Sequence, residues 1–422
     1  MKAPHFRWYF LVWLCGATGV VLFSILAGAG TKYWDETQYL EIARNVASGV
    51  GYVSEGAPTA YRPPAWPLIL AAPLALRLPE PVVYAVPAAL LVLGSIVAWV
   101  IGARLVSYRG LARYPAGPIA ALLVLLYPLN VYTTGTLYPQ MLATLLLLGM
   151  WLIVSNSLDR GRRRIRLAPI SALGLFCAVL TLAVPTMIFS AVVILGWVIW
   201  KSPNRRSQLL LCGGGAFALP ISVWGYRNMN VVGAFVPFST STGVNLLLGN
   251  NDNASGSSGV DVDVLEYQRY AASLNNEVDA SAYLQGVAID WIFDNRGSAA
   301  GLYLFKVLNY FSAYNEPATQ GQGGQIAAVV AWVSFLAMVT LTVARVILRR
   351  VVPMLPSESL FLLVFVLNAF AMAVFFTRTR FRQPLDNILL VEAAIGIVSI
   401  LVAVRCRRSR PVNGLTDVAV RR

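Results

Sequence analysis

The chain has 422 residues, of which 57% are hydrophobic and only 12% are charged, and its mean hydropathy is +0.65. A soluble domain cannot hide that much apolar surface, so the composition predicts an all-α polytopic membrane protein. The net charge of +14 raises the question of nucleic-acid binding. However, the basic residues form short clusters between apolar runs, which is typical of topology signals and argues against a nucleic-acid partner.

The cysteines and the histidine give little support to metal or histidine chemistry. The one histidine, His5, lies in the N-terminal tail. The cysteines show no spacing typical of a disulfide framework or a zinc site. The sequence therefore argues against a histidine-based mechanism.

Long apolar runs recur along the chain and predict about ten membrane-spanning helices. The first run has no convincing cleavage site, so we interpret it as a retained span. Prolines predict breaks near Pro79 and Pro81 in the second run, and at Pro185 further on. The runs cover about 8–30, 66–106, 116–132, 138–156, 168–184, 186–200, 208–226, 326–347, 357–376 and 386–404.

The basic clusters predict the orientation in the membrane. Ten spans and a cytoplasmic N-terminus place every cluster and both termini in the cytoplasm. Two long segments, 31–65 and 227–325, then lie outside, on the periplasmic or extracellular face of what is expected to be a bacterial inner membrane. The clusters are Lys2/Arg7, Arg104/Arg109/Arg113, Arg160 to Arg166, Lys201/Arg205/Arg206, Arg345/Arg349/Arg350 and Arg405 to Arg410.

We divide the chain into three parts. Residues 1–226 form an N-terminal transmembrane module with a functional first outer loop. Residues 227–325 are too many for a simple connector and predict a small outer cap, with helices near 280–293 and 299–312. Residues 326–422 form the last transmembrane helices and a basic tail.

The first outer loop contains the main candidate for chemistry. An apolar stripe at helical spacing follows Asp35 and predicts an amphipathic helix in the outer interface. Asp35 could simply be the N-cap of this helix, with Gln38 as its capping-box partner. Alternatively, its carboxylate orients or deprotonates an acceptor hydroxyl, with Glu36 assisting, or holds a divalent metal ion.

Arginines form the second half of the candidate site. Arg62 lies in the rigid stretch Tyr61-Arg62-Pro63-Pro64 and suits capture of a phosphate, although it could also extend along a span to reach the interface. Arg378, Arg380 and Arg382 alternate before Pro384, and an extended backbone would point all three to one side. Such a row needs an anion, which is either a phosphate ligand or lipid headgroups.

Amide side chains form a weaker candidate set. Asn245, Asn250 and Asn251 lie in the polar stretch 237–259 and supply the donors and acceptors that polyhydroxylated ligands need. They are equally suited to ordinary turns.

Three motifs together resemble a known family of membrane enzymes. The motifs are Asp35-Glu36-x-x-Tyr39 followed by Tyr61-Arg62-Pro63-Pro64-x-Trp66-Pro67, the stretch from Tyr226-Arg227-Asn228 to Gly249-Asn250-Asn251, and Arg380-Phe381-Arg382-Gln383-Pro384-Leu385-Asp386. In this order they resemble the GT-C glycosyltransferases of the protein mannosyltransferase and aminoarabinose transferase group.

The resemblance implies a GT-C fold and an inverting transfer of a sugar from a polyprenyl-phosphate donor to an acceptor hydroxyl on a lipid, glycan or protein. It implies a catalytic Asp35, and it places Arg62 where the aminoarabinose transferases carry a phosphate-contacting lysine. We expect Arg378, Arg380 and Arg382 to bind the donor phosphate, and Tyr61, Tyr138, Asn245, Asn250 and Asn251 to contact substrate. The chain departs from the family where many members have an acidic residue and an Arg-Pro pair, since it has Tyr138-Pro139-Gln140 and Val184-Pro185.

Two other classes of protein compete with an enzyme. A transporter or flippase for an anionic polyprenyl-phosphate-linked lipid would explain the arginines. It would also predict repeated halves and ionisable residues deep in the spans, where only Glu392 qualifies; Glu358 is interpreted as solvated at an inner end. A purely structural protein would leave the paired charges without a role.

Overall fold

The computed structural model describes residues 6–28, 30–159, 166–257, 262–315 and 324–408. The expectations for Lys2, His5, Arg160 to Arg164 and the end of the basic tail lie outside these residues. The described chain is helical apart from one short antiparallel hairpin, β1 (Val53–Ser54) with β2 (Ala57–Pro58). The predicted all-α class is confirmed.

The helices follow the order of the apolar runs. In the first half they are α1 Phe6–Gly28, α2 Trp34–Ala47, α3 Ala65–Ala75, α4 Pro81–Ser107, α5 Ala116–Leu126, α6 Pro128–Thr134, α7 Gln140–Leu158, α8 Leu167–Ala183, α9 Ile188–Trp200, α10 Arg206–Leu209 and α11 Gly215–Val232. In the second half they are α12 Thr242–Gly249, α13 Leu265–Ala272, α14 Glu277–Asp294, α15 Arg296–Tyr310, α16 Gln325–Ile347, α17 Pro356–Met372 and α18 Thr379–Arg408. Short turns of other helix types occur at Pro185–Met187, Pro203–Arg205, Leu210–Gly214 and Leu348–Arg350.

Six helical segments of the described chain are long and apolar enough to cross a membrane, or seven if the bent pair α5–α6 forms one span. Shorter apolar helices, α3, α8, α9 and α17, accompany them. Each predicted run contains a helix, but length and composition alone do not establish ten spans. The count of ten therefore stays a prediction.

Proline divides the helices where the sequence indicates. α3 ends at Ala75 and α4 begins at Pro81, so the second run is a short helix followed by a full span. α8 ends at Ala183, and a short turn at Pro185–Met187 leads into α9. Both predicted breaks are confirmed.

Two of the basic clusters meet at one end of the helices. The guanidinium groups of Arg109 and Arg345 both bind the Glu358 carboxylate, and Arg104 donates to Asn156 Oδ1 at 2.8 Å. Glu358 is fully buried, so its interpretation as a solvated residue is wrong. Two arginines stabilise its charge in place of water.

The segment after α11 folds against the opposite ends of the helices. The side chains of Leu246, Leu247 and Leu284 form a small apolar core between α12 and α14. α14 and α15 occupy the two helical stretches expected of the cap. α15 packs on α17, where the Tyr310 hydroxyl donates to the Phe365 carbonyl at 3.2 Å.

Candidate active site

A cavity of about 1460 Å³ opens where the segment between α1 and α3, the segment after α11 and the ends of the membrane helices meet. Its walls come from α2, the β1–β2 hairpin, the first residues of α7, α12 to α14 and the loop between α17 and α18. Ile188, Phe189 and Met372 give one side an apolar surface. Hydroxyl and amide side chains supply most of the polar lining. The space therefore suits a ligand with both an apolar and a polyhydroxylated part.

The first turn of α2 places Asp35 on the cavity wall. The helix begins at Trp34, and the preceding Tyr33 makes no side-chain cap. Asp35 thus lies inside the helix, and the explanation of it as an N-cap is wrong. Gln38, the expected capping partner, instead accepts a hydrogen bond from Arg62 Nε at 2.8 Å.

Two guanidinium groups hold the Asp35 carboxylate. Arg62 Nη2 donates to Asp35 Oδ1 at 2.6 Å, and Arg380 Nη2 lies 3.6 Å from Asp35 Oδ2. The carboxylate is half-buried, and the Tyr138 hydroxyl also hydrogen-bonds to it. Residues from the two ends of the chain therefore meet at one point on the cavity wall.

Aromatic rings fix Arg62 in place. Its guanidinium carbon lies 5.9, 5.1 and 5.0 Å from the ring centres of Trp34, Tyr39 and Tyr61. Cation–π attraction adds to the two hydrogen bonds that Arg62 donates. Arg62 is therefore a rigid, buried cation whose position determines that of Asp35.

The surroundings keep Asp35 ionised. Burial raises the pKa of Asp35, but the charges of Arg62 and Arg380 lower it by more, so the net shift is downward from 3.8. At neutral pH, Asp35 is a carboxylate that accepts hydrogen bonds.

Glu36 points away from this site. Successive helical residues are rotated by about 100°, so neighbours in α2 face different sides. Glu36 is buried against the backbone amides of Lys32 and Leu137, and burial raises its pKa. It does not line the cavity. The expectation that it assists Asp35 is corrected accordingly.

The three C-terminal arginines do not form a row. α18 begins at Thr379 and includes Pro384, so the expected extended backbone is wrong. Pro384 is the sixth residue of α18 and has no amide proton, so the helix forgoes the one backbone hydrogen bond to the Arg380 carbonyl. Arg380 lines the cavity, whereas Arg382 is fully buried on another side of the helix.

Arg382 has other partners. Its Nε donates to Asp386 Oδ1 at 2.8 Å, and its Nη1 donates to the Tyr310 and Ser312 carbonyls. The phosphate-binding role expected of Arg382 is therefore corrected to a structural one. Arg378 lies just before α18, near Tyr33, Tyr132 and Tyr138, and is not part of the cavity wall.

The three asparagines differ in whether they line the cavity. Asn245 lines the cavity. Asn250 Nδ2 donates to the Leu246 and Val374 carbonyls, and Asn251 Nδ2 donates to the Leu247 carbonyl at 2.7 Å. Asn250 and Asn251 are thus the turn-forming residues that the sequence left as an alternative, and their expected contact with substrate is corrected.

Tyr61 and Tyr138 both line the cavity, as does Pro185. Sequence reasoning missed Gln38 as the partner of Arg62. It also missed Glu277, which accepts hydrogen bonds from Thr59 Oγ1 at 2.7 Å and from the Ala60 amide at 2.6 Å. Glu277 fastens the chain before Arg62 to the cap. No local sequence pattern indicates the contact of Glu277 with Thr59 and Ala60, because more than 200 residues separate them.

The donor set does not fit a resident metal ion. Across the described ranges, no group of three or more His, Cys, Asp or Glu side chains converges on one point. Both oxygens of Asp35, the residue named as a possible ligand, face arginines.

Two crystal structures of one protein are similar to the chain at low sequence identity. No protein-family model and no curated protein matches the chain. It is similar to the crystal structure of ArnT from Cupriavidus metallidurans bound to undecaprenyl phosphate, with a TM-score of 0.45 and 16% identity over 94% of this chain and 79% of that one. For ArnT in the apo state the TM-score is 0.43, with 14% identity over 93% and 78% of the two chains.

Proposed function

We propose that this protein is a GT-C glycosyltransferase that moves a sugar from a polyprenyl-phosphate donor to an acceptor hydroxyl. The observation that carries the proposal is the meeting of Asp35, Arg62 and Arg380 on the wall of a large cavity beside the ends of the membrane helices. Resemblance of the motifs around these residues to the GT-C family supports the same reaction.

Arg380 is the main phosphate ligand in this proposal. Its Nη2 lies beyond hydrogen-bond distance from Asp35, and its Nε has no partner. Tyr138 and Phe381 flank the guanidinium, with ring centres 4.7 and 4.9 Å from its central carbon. A phosphate oxygen would satisfy the unused donor and neutralise the charge. Arg62 adds positive charge from its fixed position.

The reaction needs few groups. The acceptor oxygen attacks the anomeric carbon opposite the phosphate, and the carbon–oxygen bond to the phosphate breaks. Its electron pair leaves with polyprenyl phosphate, and the configuration at the anomeric carbon inverts. Arg380 and Arg62 stabilise the charge that develops on the leaving group.

Asp35 orients the acceptor hydroxyl and receives its proton late. A carboxylate has about four lone-pair sites, so Asp35 can accept a further hydrogen bond beside those from Arg62 and Tyr138. The hydroxyl proton becomes strongly acidic once the new bond to carbon has begun to form. A base with a low pKa is then sufficient.

The positions of the basic residues support an orientation in the membrane. The cavity lies at the ends of α7 and α18, opposite the end where Arg109 and Arg345 bind Glu358, and basic residues favour the cytoplasm. In the proposal the reaction therefore takes place on the periplasmic or extracellular face, with the donor's isoprenoid chain beside the apolar wall of the cavity.

The test is a transfer assay in liposomes with a polyprenyl-phosphate sugar and an acceptor panel. The wild-type protein is expected to release polyprenyl phosphate, and Asp35→Asn to reduce the rate by about 10²- to 10⁴-fold. Full activity of a folded Asp35→Asn protein contradicts the catalytic role of Asp35. Movement of the intact lipid across the bilayer without cleavage would identify a flippase instead.

A further inference from the structure

Two polar residues each have a buried side-chain atom that lacks a partner among the described residues. Gln140 is 4% exposed and its Oε1 has no hydrogen bond; Thr240 is 5% exposed and its Oγ1 has none. Both residues line the cavity. An unpaired buried polar group costs about 1–3 kcal/mol, so such groups in a cavity wall indicate a missing ligand.

Both residues are held in place. Gln140 is the first residue of α7, two positions after Tyr138, whose hydroxyl bonds to Asp35. The Thr240 amide donates to the Ala60 carbonyl at 3.1 Å, close to the Arg62 segment in sequence. Gln140 therefore extends the wall beside the ion-paired centre, and Thr240 is contributed by the cap side.

The chemistry of these atoms favours hydroxyl groups. An amide oxygen accepts one hydrogen bond from a hydroxyl, and a threonine hydroxyl both donates and accepts. Other neutral polar side chains also line the cavity, including Thr186, Ser239 and Asn245.

Carboxylates that could pair with a cationic sugar are already engaged or peripheral. Within the part of the chain that the structure describes, the cavity lining contains three: Asp35, Glu55 and Glu277. Asp35 faces two arginines, Glu277 accepts from Thr59 and Ala60, and Glu55 is exposed at the hairpin turn. A buried ammonium group would require a carboxylate partner.

We propose that Gln140 and Thr240 are specificity-determining residues that bind hydroxyl groups of the transferred sugar, and that this sugar is uncharged. The inference rests on the proposed function and names the substrate class of the same site. The arginines bind the phosphate, and the unpaired amide and hydroxyl identify the sugar attached to it.

The experiment measures binding of three classes of lipid to the purified full-length protein. The probes are polyprenyl phosphate, the same lipid carrying mannose, glucose or arabinose, and the same lipid carrying an amino sugar. At least one uncharged sugar lipid should bind wild-type protein more tightly than polyprenyl phosphate. Gln140→Leu and Thr240→Val should each weaken that binding by about 3- to 10-fold, with unchanged affinity for polyprenyl phosphate.

Stability separates a recognition role from a structural one. Because the atoms lack partners in the free protein, their apolar replacements should leave the thermal midpoint unchanged or raise it. Thr181→Val is the matched control, since Thr181 is buried outside the cavity and its hydroxyl donates to the Cys177 carbonyl at 2.9 Å. This control should not alter lipid binding.

The outcomes distinguish the two proposals. If wild-type protein binds none of the lipids, the proposed function fails. If it binds polyprenyl phosphate but shows no preference for any uncharged sugar lipid, prefers the amino-sugar lipid, or retains its preference in both variants, only the present inference is overturned. Loss of stability in both variants would likewise assign Gln140 and Thr240 to the fold.

Discussion

The protonation of Asp35 depends on two opposing effects, burial and its neighbouring arginines. A carboxyl group whose pKa is lowered stays ionised above its usual value of 3.8 and loses its charge only as the pH falls through the lower one. The stabilising pair with Arg62 is thus complete at neutral pH. Asp35 should cause no loss of activity on mild acidification of the wild-type protein.

Replacing Arg62 should make the acid side of the pH profile visible. In Arg62→Met the desolvation of Asp35 remains while one of its two compensating charges is lost, so the pKa of Asp35 rises. The acid limb of kcat/KM should therefore move to higher pH, with a lower plateau.

The measurement compares pH–rate profiles of wild type, Arg62→Met and Arg44→Met. Arg44 is a matched control because it pairs with Glu80 on an exposed part of the loop. An acid limb at the same pH in Arg62→Met and wild type would show that Arg62 does not control the charge of Asp35.

At the scale of elements, α18 separates the roles of Arg380 and Arg382. Arg382 and Asp386 lie one turn apart and are both fully buried. Arg382→Met should cost about 3–5 kcal/mol of stability, because it leaves the Asp386 carboxylate buried without its cation. Arg380→Met should change stability little and weaken binding of polyprenyl phosphate.

Thermal unfolding and lipid binding of both variants test this division. Adding Asp386→Leu to Arg382→Met should recover part of the lost stability, since it removes the unpaired charge. A stable Arg382→Met protein with weakened lipid binding would contradict the structural role of Arg382.

The cap is fastened to the loop before α18 by Lys306 on α15. Its Nζ donates to the Gly249 carbonyl, Asn250 Oδ1 and the Phe375 carbonyl at 3.0, 2.9 and 2.9 Å. Lys306→Met would leave these buried acceptors unpaired, so hydrogen exchange should accelerate in α12 and in the loop 373–378. Lys201→Met, an exposed site, is the control and should not change either segment.

Lys306 also predicts a pH dependence of stability. Burial lowers its pKa from 10.5 to about 8, so between these values the unfolded chain binds a proton that the folded chain does not. This group therefore makes unfolding less favourable as the pH rises through that window. The free energy of unfolding is measured against pH for the wild type and for Lys306→Met, and the difference between the two should rise with pH between about 8 and 10.5. A difference that does not change with pH would contradict the lowered pKa of Lys306.

Over the whole molecule, sequence patterns predicted helices better than contacts. Hydrophobic runs and prolines correctly indicated the breaks at Pro79–Pro81 and Pro185 and the helices of the cap. The motif residues Asp35, Arg62 and Arg380 meet on the cavity wall, and their roles in the reaction stay a prediction. The prediction that all three C-terminal arginines point to one side was wrong. Their directions depend on whether residues 379–384 are helical, and tertiary packing determines that.

Buried polar partners were beyond sequence reasoning for a related physical reason. From its position near a helix end, Glu358 was predicted to be solvated, but the fold buries it between Arg109 and Arg345. Gln140 and Thr240 are single polar residues in ordinary surroundings. Only the folded structure shows that one polar atom of each side chain is buried without a hydrogen-bond partner.

The orientation of the whole molecule has a direct test. In a variant whose other cysteines are replaced, Glu55→Cys on the exposed hairpin should react with a membrane-impermeant maleimide in intact cells. The native Cys406, exposed at the basic end of α18, should react only after permeabilisation. The reverse pattern would place the cavity in the cytoplasm.

A cryo-electron-microscopy structure of the wild-type protein with polyprenyl phosphate would show whether Asp35, Arg62 and Arg380 surround the donor phosphate. We expect phosphate density at the Arg380 guanidinium, within reach of Arg62 and beside Asp35, with the isoprenoid chain along the apolar wall near Phe189. Phosphate density away from these three side chains, or at the end of the molecule where Arg345 and Glu358 lie, would contradict it.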